Sequence, residues 1–365
     1  MILKRYRRNF AATLGLLAAI AIGRPLLATP PGKPIRSGLW VTQKLPLTQR
    51  DAEELESQLR ENHNLSGVCL HIPWDEIEKA SGQPNFEAID KTVAIFRRNG
   101  VKYQLCFKPG AFTPAFVFSD GAKAFETEVR NSHRADFGSR VRIPVPWDPT
   151  YESDFSRTIE RLGDRYASDP LCVSVVLTCA NFMSAEMHLP KDRSEIARWH
   201  ALGDYGSELL EVYKKFTDLW ASAFPKQEIS LHISKVLDLP PSFQERIIDY
   251  GLSRYPERFS IQSCQLTGRK EDTGVMTYDL VQEYRERVHH GFQSLAGLNG
   301  HDGRMGSPEM AALNLVHAKA EYWELWHGDG FSVRTSAEAA KAWQEAKDLG
   351  YDAYKKKLMA DGKYR

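Results

Sequence analysis

The chain reads as α/β, a single (β/α)8 TIM barrel with enlarged βα loops, and three observations predict that class. Eight short apolar runs alternate with amphipathic stretches of helical period from about residue 37 to the end, the pattern of a parallel sheet with crossover helices. The runs are short and rich in apolar residues, as in strands buried on both faces. Several are followed by long segments, which in a barrel all lie on one face and crowd a cleft there. A doubly wound sheet is the runner-up. No glycine-rich phosphate fingerprint follows the first strand, however, where Ser37-Gly38-Leu39-Trp40 leads to Gln43 and Lys44.

In order, the predicted strands are Ser37–Thr42, Gly67–Ile72, Tyr103–Lys108, Cys172–Thr178, Glu228–Ile233, Phe259–Cys264, Gly291–Leu295 and Ala320–Trp326. The helices between and after them are Thr48–Asn62, Phe86–Asn99, Thr150–Ala167, Glu195–Phe224, Pro241–Tyr255, Thr277–His289, Ser307–Lys319 and Ser336–Leu358. The longest βα loop, Pro109 to Pro149, carries Phe112, Phe116, Phe118, Phe125 and Trp147. No short repeat or low-complexity segment interrupts the series.

Upstream, Lys4, Arg5, Arg7 and Arg8 precede an uncharged apolar run from Phe10 to Gly23, the make-up of an export signal. The run is shorter than the roughly 20 residues that span a bilayer. Arg7-Arg8-Asn9-Phe10 also resembles the twin-arginine pattern. We therefore divide the chain into residues 1–28 as an export signal, 29–36 as a Pro-rich linker and 37–365 as the barrel. The expected location is periplasmic or extracellular, with no stable membrane partner beyond the export machinery. Lys plus Arg (48) balances Asp plus Glu (47), so no net field recruits nucleic acid. The five cysteines, Cys69, Cys106, Cys172, Cys179 and Cys264, match no zinc spacing and read as buried small side chains, so no metal or cofactor is expected. Cys69 and Cys106, on consecutive strands, are the pair to test first for a disulfide.

Near the second strand, Trp74, Glu78, Gly82 and Asp90 stand at the spacing W-x-x-x-E-x-x-x-G, with Asn85-Phe86 before Asp90. Gly100 to Leu105 followed by Phe112-Thr113-Pro114-Ala115-Phe116, and Val145-Pro146-Trp147-Asp148-Pro149 before the next helix, continue the pattern. From about Ser66 to Pro190 the sequence thus resembles the clan A barrel glycoside hydrolases of the family-42 β-galactosidase type. The resemblance implies a barrel acting on a carbohydrate, with an acid/base glutamate just after the fourth strand. It also implies a second carboxylate on the seventh.

After the fourth strand, Val173 to Pro190 presents Asn181, Glu186 and His188, and Glu186 is its only carboxylate. Glu186 is the candidate acid/base residue, and an aromatic, water-poor loop there would raise its pKa. The seventh strand, Gly291 to Gly297, contains no acid, and Gln293 stands where a nucleophile would be. The eighth offers substitutes. Alternation puts Tyr322, Glu324 and Trp326 on one face, making Glu324 the candidate second carboxylate, with Asp329 or Asp302 less favoured. Opposed strands would separate two such glutamates widely, the arrangement of inversion. Trp74, His71, Asn181, His188, Gln293, Trp326 and Asp329 are candidates for substrate contact, Trp326 as a floor for a sugar ring. Further polar residues at strand ends are Lys108, His232, Gln262, Gln265 and Asn299.

The reading is an exported glycoside hydrolase-like enzyme using carboxylate acid/base catalysis. The alternative is a carbohydrate-binding barrel without the nucleophile. A barrel enzyme of another class, such as a lyase or isomerase, stays open, because fold does not fix function. No H-E-x-x-H, G-x-S-x-G, Walker A or EF-hand pattern is present.

Overall fold

The computed structural model describes residues 35–45, 47–132, 134–298 and 303–364. The expected export signal, most of the linker, and Asn299, His301 and Asp302 lie outside them. Among the described residues no helix is long and apolar enough to cross a membrane.

Ten strands form: β1 (Gly38–Lys44), β2 (Leu65–Pro73), β3 (Lys102–Lys108), β4 (Ala124–Glu128), β5 (Arg140–Pro144), β6 (Cys172–Val176), β7 (Glu228–Ile233), β8 (Phe259–Leu266), β9 (His289–Ser294) and β10 (Tyr322–Leu325). Eight of them close a parallel barrel in the order β1-β10-β9-β8-β7-β6-β3-β2. β4 and β5 stand apart as an antiparallel hairpin inside the long third loop. The hairpin lies within the stretch expected as loop; in Ala124-Phe125-Glu126-Thr127-Glu128 only Phe125 and Thr127 face inward, so the strand is short and carries a single large apolar residue.

Crossover helices cover the outer strand faces through apolar residues at helical spacing. Glu87–Arg98 buries Ile89, Val93 and Phe96, and Pro149–Tyr166 buries Tyr151, Phe155, Ile159 and Leu162. Their starts are fixed chemically. Thr48 and Asp51 form a capping box, as do Asp192 and Glu195, while Asp148 accepts from the amides of Thr150 and Tyr151 with Pro149 in the first turn. The helix expected as Glu195–Phe224 is two, Arg193–His200 and Tyr205–Ala223, because Gly203 turns between them at φ 112°. Likewise Gly350, at φ 75°, separates Val333–Leu349 from Tyr351–Ala360.

The barrel interior is polar at its lower end. Arg36, assigned from sequence to the linker, is fully buried there and bonds the Glu228 carboxylate at 2.7 Å. It also donates to Ser230 (2.8 Å), Gln104 (3.2 Å) and Gln262 (3.3 Å), with its guanidinium over the Tyr322 ring. Glu228 accepts further from Ser260 at 2.8 Å and Ser174 at 3.2 Å. All three guanidinium nitrogens donate, and Glu228 Oε1 accepts three hydrogen bonds, the kind of polar satisfaction that lets a buried ion pair be tolerated.

Candidate active site

A cavity of about 780 Å³ opens at the carboxyl ends of the barrel strands. Its wall includes Lys44 from the end of β1, Lys108 from β3, the loop 182–188 after β6, Cys264 from β8, Gln293 from β9 and Trp326 just past β10. That size lies within the roughly 300–1,000 Å³ usual for small-molecule sites.

The loop after β6 is held from both sides. Its backbone carbonyls at Thr178, Cys179 and Ala180 accept from Trp220 (3.0 Å), Tyr151 and Tyr213 (3.2 Å), side chains of the helices packed behind it. Asn181 then folds the loop on itself. Its carbonyl oxygen accepts from the Cys179 amide at 2.9 Å, and its NH₂ donates to the carbonyls of Ala185 (2.9 Å) and Glu186 (2.7 Å). The Met187 amide ties the far end to His232 of β7 at 2.9 Å. Asn181, expected to touch substrate, is buried and does not border the cavity; it positions the residue that does.

That residue is Glu186. Burial pushes its carboxyl up to about 7, against the hydrogen bond from Ser184 and the charge of Lys191. Ser184 Oγ lies 3.3 Å from Glu186 Oε2 and 3.2 Å from His188 Nδ1. Burial, helped by Lys191, pulls His188 down to about 4, so the imidazole is neutral at neutral pH. His71 and His232 also border the cavity, each with a buried Nε2 that has no hydrogen-bond partner among the described residues, and burial holds both rings neutral.

Glu324 points into the barrel as alternation predicts, yet it does not reach the cavity. It pairs in register with Gln293 across the β9–β10 ladder. The Gln293 amide donates to Glu324 Oε1 at 2.6 Å and Gln262 to Oε2 at 3.4 Å, leaving Glu324 fully buried beneath Gln293. Burial raises its pKa, opposed by the Arg36 charge and both amides. Gln293 itself borders the cavity, so an amide separates the second carboxylate from the space where substrate would lie. Among the described residues, Glu186 is the only carboxylate on the wall.

Trp326 borders the cavity with its indole N–H anchored to the Ser294 carbonyl at 2.8 Å, leaving ring surface as a stacking floor. Asp329 does not border it. Its carboxylate accepts the Leu298 amide at 2.6 Å and so shapes the loop after β9. Trp74 is also absent from the wall. It is fully buried among Phe107, Phe116, Tyr151 and Phe155, with its N–H on Glu78 at 2.9 Å. Glu78 in turn accepts from Thr158 at 2.6 Å and from the Gly82 amide at 2.9 Å, while Asp90 bonds Arg165 and Tyr166. The W-x-x-x-E-x-x-x-G spacing is therefore a locking unit between the second and third barrel helices, with Trp74 and Glu78 buried away from the cavity.

Arg130 and Arg134, which follow β4, also border the cavity and went unrecognised together with their hairpin. Cys264, expected only as core, lies on the wall beside His232, its Sγ 3.8 Å from Nδ1. Inside the barrel, Cys69 and Cys106 are free thiols and buried. Their sulfurs and a ring nitrogen of His71 lie within 4.8 Å of one another, the one group of described residues with a metal-ligand donor set.

With this geometry in place, known proteins supply a comparison. Residues 49–202 match the model of glycoside hydrolase family 42, described as β-galactosidase. The matched stretch holds the Trp74–Glu78–Gly82 lock and Glu186, and it ends before Gln293 and Glu324. A β-galactosidase of Haloferax lucentense, BgaH, is 32% identical over 97 residues, 27% of this chain and 14% of that one. Among solved structures, the β-galactosidase of the psychrophilic Marinomonas ef1 superposes with a TM-score of 0.54 at 14% identity, over 88% of this chain and 62% of the other. The catalytic domain of the β-amylase of Paenibacillus polymyxa gives 0.53 at 11% identity, over 79% and 92%. The chain is family-42-like in its first half and shares a barrel fold with these hydrolases throughout, while spanning less than two thirds of either β-galactosidase.

Proposed function

We propose that the protein is an exported glycoside hydrolase, cleaving glycosidic bonds of an oligo- or polysaccharide with Glu186 as proton donor. The observation that carries this reading is a carboxyl held to about 7 by burial on the cavity wall. It follows the fourth barrel strand, inside the stretch that resembles family 42. At neutral pH such a group keeps enough of its proton to give it to a leaving oxygen. Trp326 offers an apolar face for a sugar ring in the cavity that a neutral His188 also borders. Glu324, bonded by the Gln293 amide, is the second carboxylate of this reading, and a wide separation of the two carboxyls would make the enzyme inverting. Export rests on the basic and apolar residues 4–23.

A panel of aryl glycosides, β-galactosides included, and of polysaccharides tests this reading. Wild-type protein should release reducing ends from at least one of them, and Glu186→Gln should lower that rate at least 100-fold. Equal rates would remove Glu186 from the mechanism. One observation favours a second reading, a barrel that binds carbohydrate without cutting it: Gln293 closes Glu324 off from the cavity. That reading requires glycan binding with no product from any substrate.

A further inference from the structure

Two cations on the cavity wall have no acidic partner. Lys108 ends β3 with only 6% of its surface exposed, and among the described residues its ammonium meets no carboxylate and donates no hydrogen bond. The Phe112 ring lies 4.5 Å from it, while burial, together with the nearby charges of Lys44 and Arg134, lowers its pKa in the absence of an anion. Lys44 ends β1 on the same wall, exposed to solvent and without an ion pair among the described residues, so the desolvation argument concerns Lys108. Desolvating a lysine without a counter-ion is costly, and the cation–π contact with Phe112 returns only part of that cost.

Glu186 excepted, the other charged wall residues, Arg130, Arg134 and Arg304, have the same sign. Arg130 and Arg134 border the cavity too, each shared with a carboxylate, Asp192 at 2.8 Å and Asp136 at 2.8 Å. Against these stands Glu186 alone among described wall carboxylates. A whole-chain balance of 48 basic to 47 acidic residues makes this local excess a property of the cavity and not of the protein. A concave, low-dielectric site lined by one sign of charge concentrates ligands of the other.

We propose that the cavity takes an anionic sugar, one bearing a carboxylate or a sulfate ester, whose charged group is received by Lys108 with Lys44 beside it. Lysine binds such groups as a point charge, so both oxyanions fit the same chemistry. This specifies the substrate class of the glycoside hydrolase reading and rests on the same site. It also gives a purpose to a buried ammonium that the proton transfer does not use.

The test measures binding apart from cleavage, by titration calorimetry of the full chain carrying Glu186→Gln. The probes are a uronate oligosaccharide, its carboxyl-reduced neutral twin, a sulfated galactan oligosaccharide and its desulfated twin. At least one anionic probe should bind tenfold or more tightly than its twin, with affinity falling as salt rises. Which one does so distinguishes a carboxylate from a sulfate. Adding Lys108→Met should abolish the preference and leave the neutral twin's affinity unchanged, while Lys108→Arg should retain it. Equal binding of both twins, no binding of any probe, or a preference untouched by Lys108→Met would overturn the proposal. Binding of an anionic probe that the wild type never cleaves would instead defeat the hydrolase reading and leave this site standing.

Discussion

Desolvation raises the Glu186 carboxyl to about 7, and this shift predicts the pH dependence of the site. A proton donor at about 7 should show an alkaline limb in kcat/KM centred near that value, absent from the residual activity of Glu186→Gln. The same shift affects stability. The folded carboxyl holds its proton between its ordinary 4.5 and about 7, where the unfolded chain has released it. The contribution is therefore complete below about 4.5 and is lost as pH rises through 7. Urea unfolding at pH 5.5 and 8.5 should show Glu186→Gln gaining on wild type at the higher pH. An unchanged difference would mean that the carboxyl is not desolvated. The position of Glu186 was legible because it is the only acid between Pro170 and Pro190. The fate of Glu324 was half legible. Alternation gives its inward direction, but not that its register partner Gln293 bonds it and takes the place on the cavity wall.

At the scale of elements, the loops after β3 and β6 are pressed together, and glycine makes this possible. Gly110 sits at φ 72°, and a Cβ there would meet the carbonyl oxygens of Asn181 and Phe182 at 2.2 Å. The neighbouring Ala111 amide donates to Phe182 at 2.8 Å. Gly110→Ala should therefore push the Glu186 loop outward and cost about 1–3 kcal/mol by overpacking and backbone strain, read by chemical denaturation. Gly328→Ala, where nothing lies within 4 Å and no positive φ is imposed, should cost little. Equal losses in the two would contradict the packing account. The eight barrel strands could be read from sequence because each is a short run with buried apolar residues set between helical stretches, even where inward residues such as Glu228, Gln262 and Gln293 are polar. The β4–β5 hairpin could not, because its outward residues are charged and its pairing is not visible in either strand alone. With it went Arg130 and Arg134 as wall residues.

The whole molecule is closed from below by a residue that lies ahead of the first strand. Arg36 and Glu228 are both fully buried, so Arg36→Met strands a carboxylate inside the barrel and should cost about 3–5 kcal/mol. Adding Glu228→Gln should recover part of that loss, and additive losses in the double variant would argue against pairing. The plug also bears on maturation. If residues 1–28 are an export signal, the mature protein should begin upstream of Arg36, as N-terminal mass spectrometry of the secreted form would report. A mature start beyond Arg36 would contradict its structural role. Composition draws the barrel's edge at residue 37 because a Pro-rich stretch reads as linker; only the three-dimensional arrangement brings one arginine of that stretch against β7. The central claim concerns the proton that Glu186 gives to a leaving oxygen, and leaving-group dependence tests it most directly. For a responsive glycone, Glu186→Gln should lose at least 100-fold on an alkyl or sugar leaving group and far less on a dinitrophenyl one, which needs no protonation. Equal losses on both leaving groups, or none on either, would contradict it.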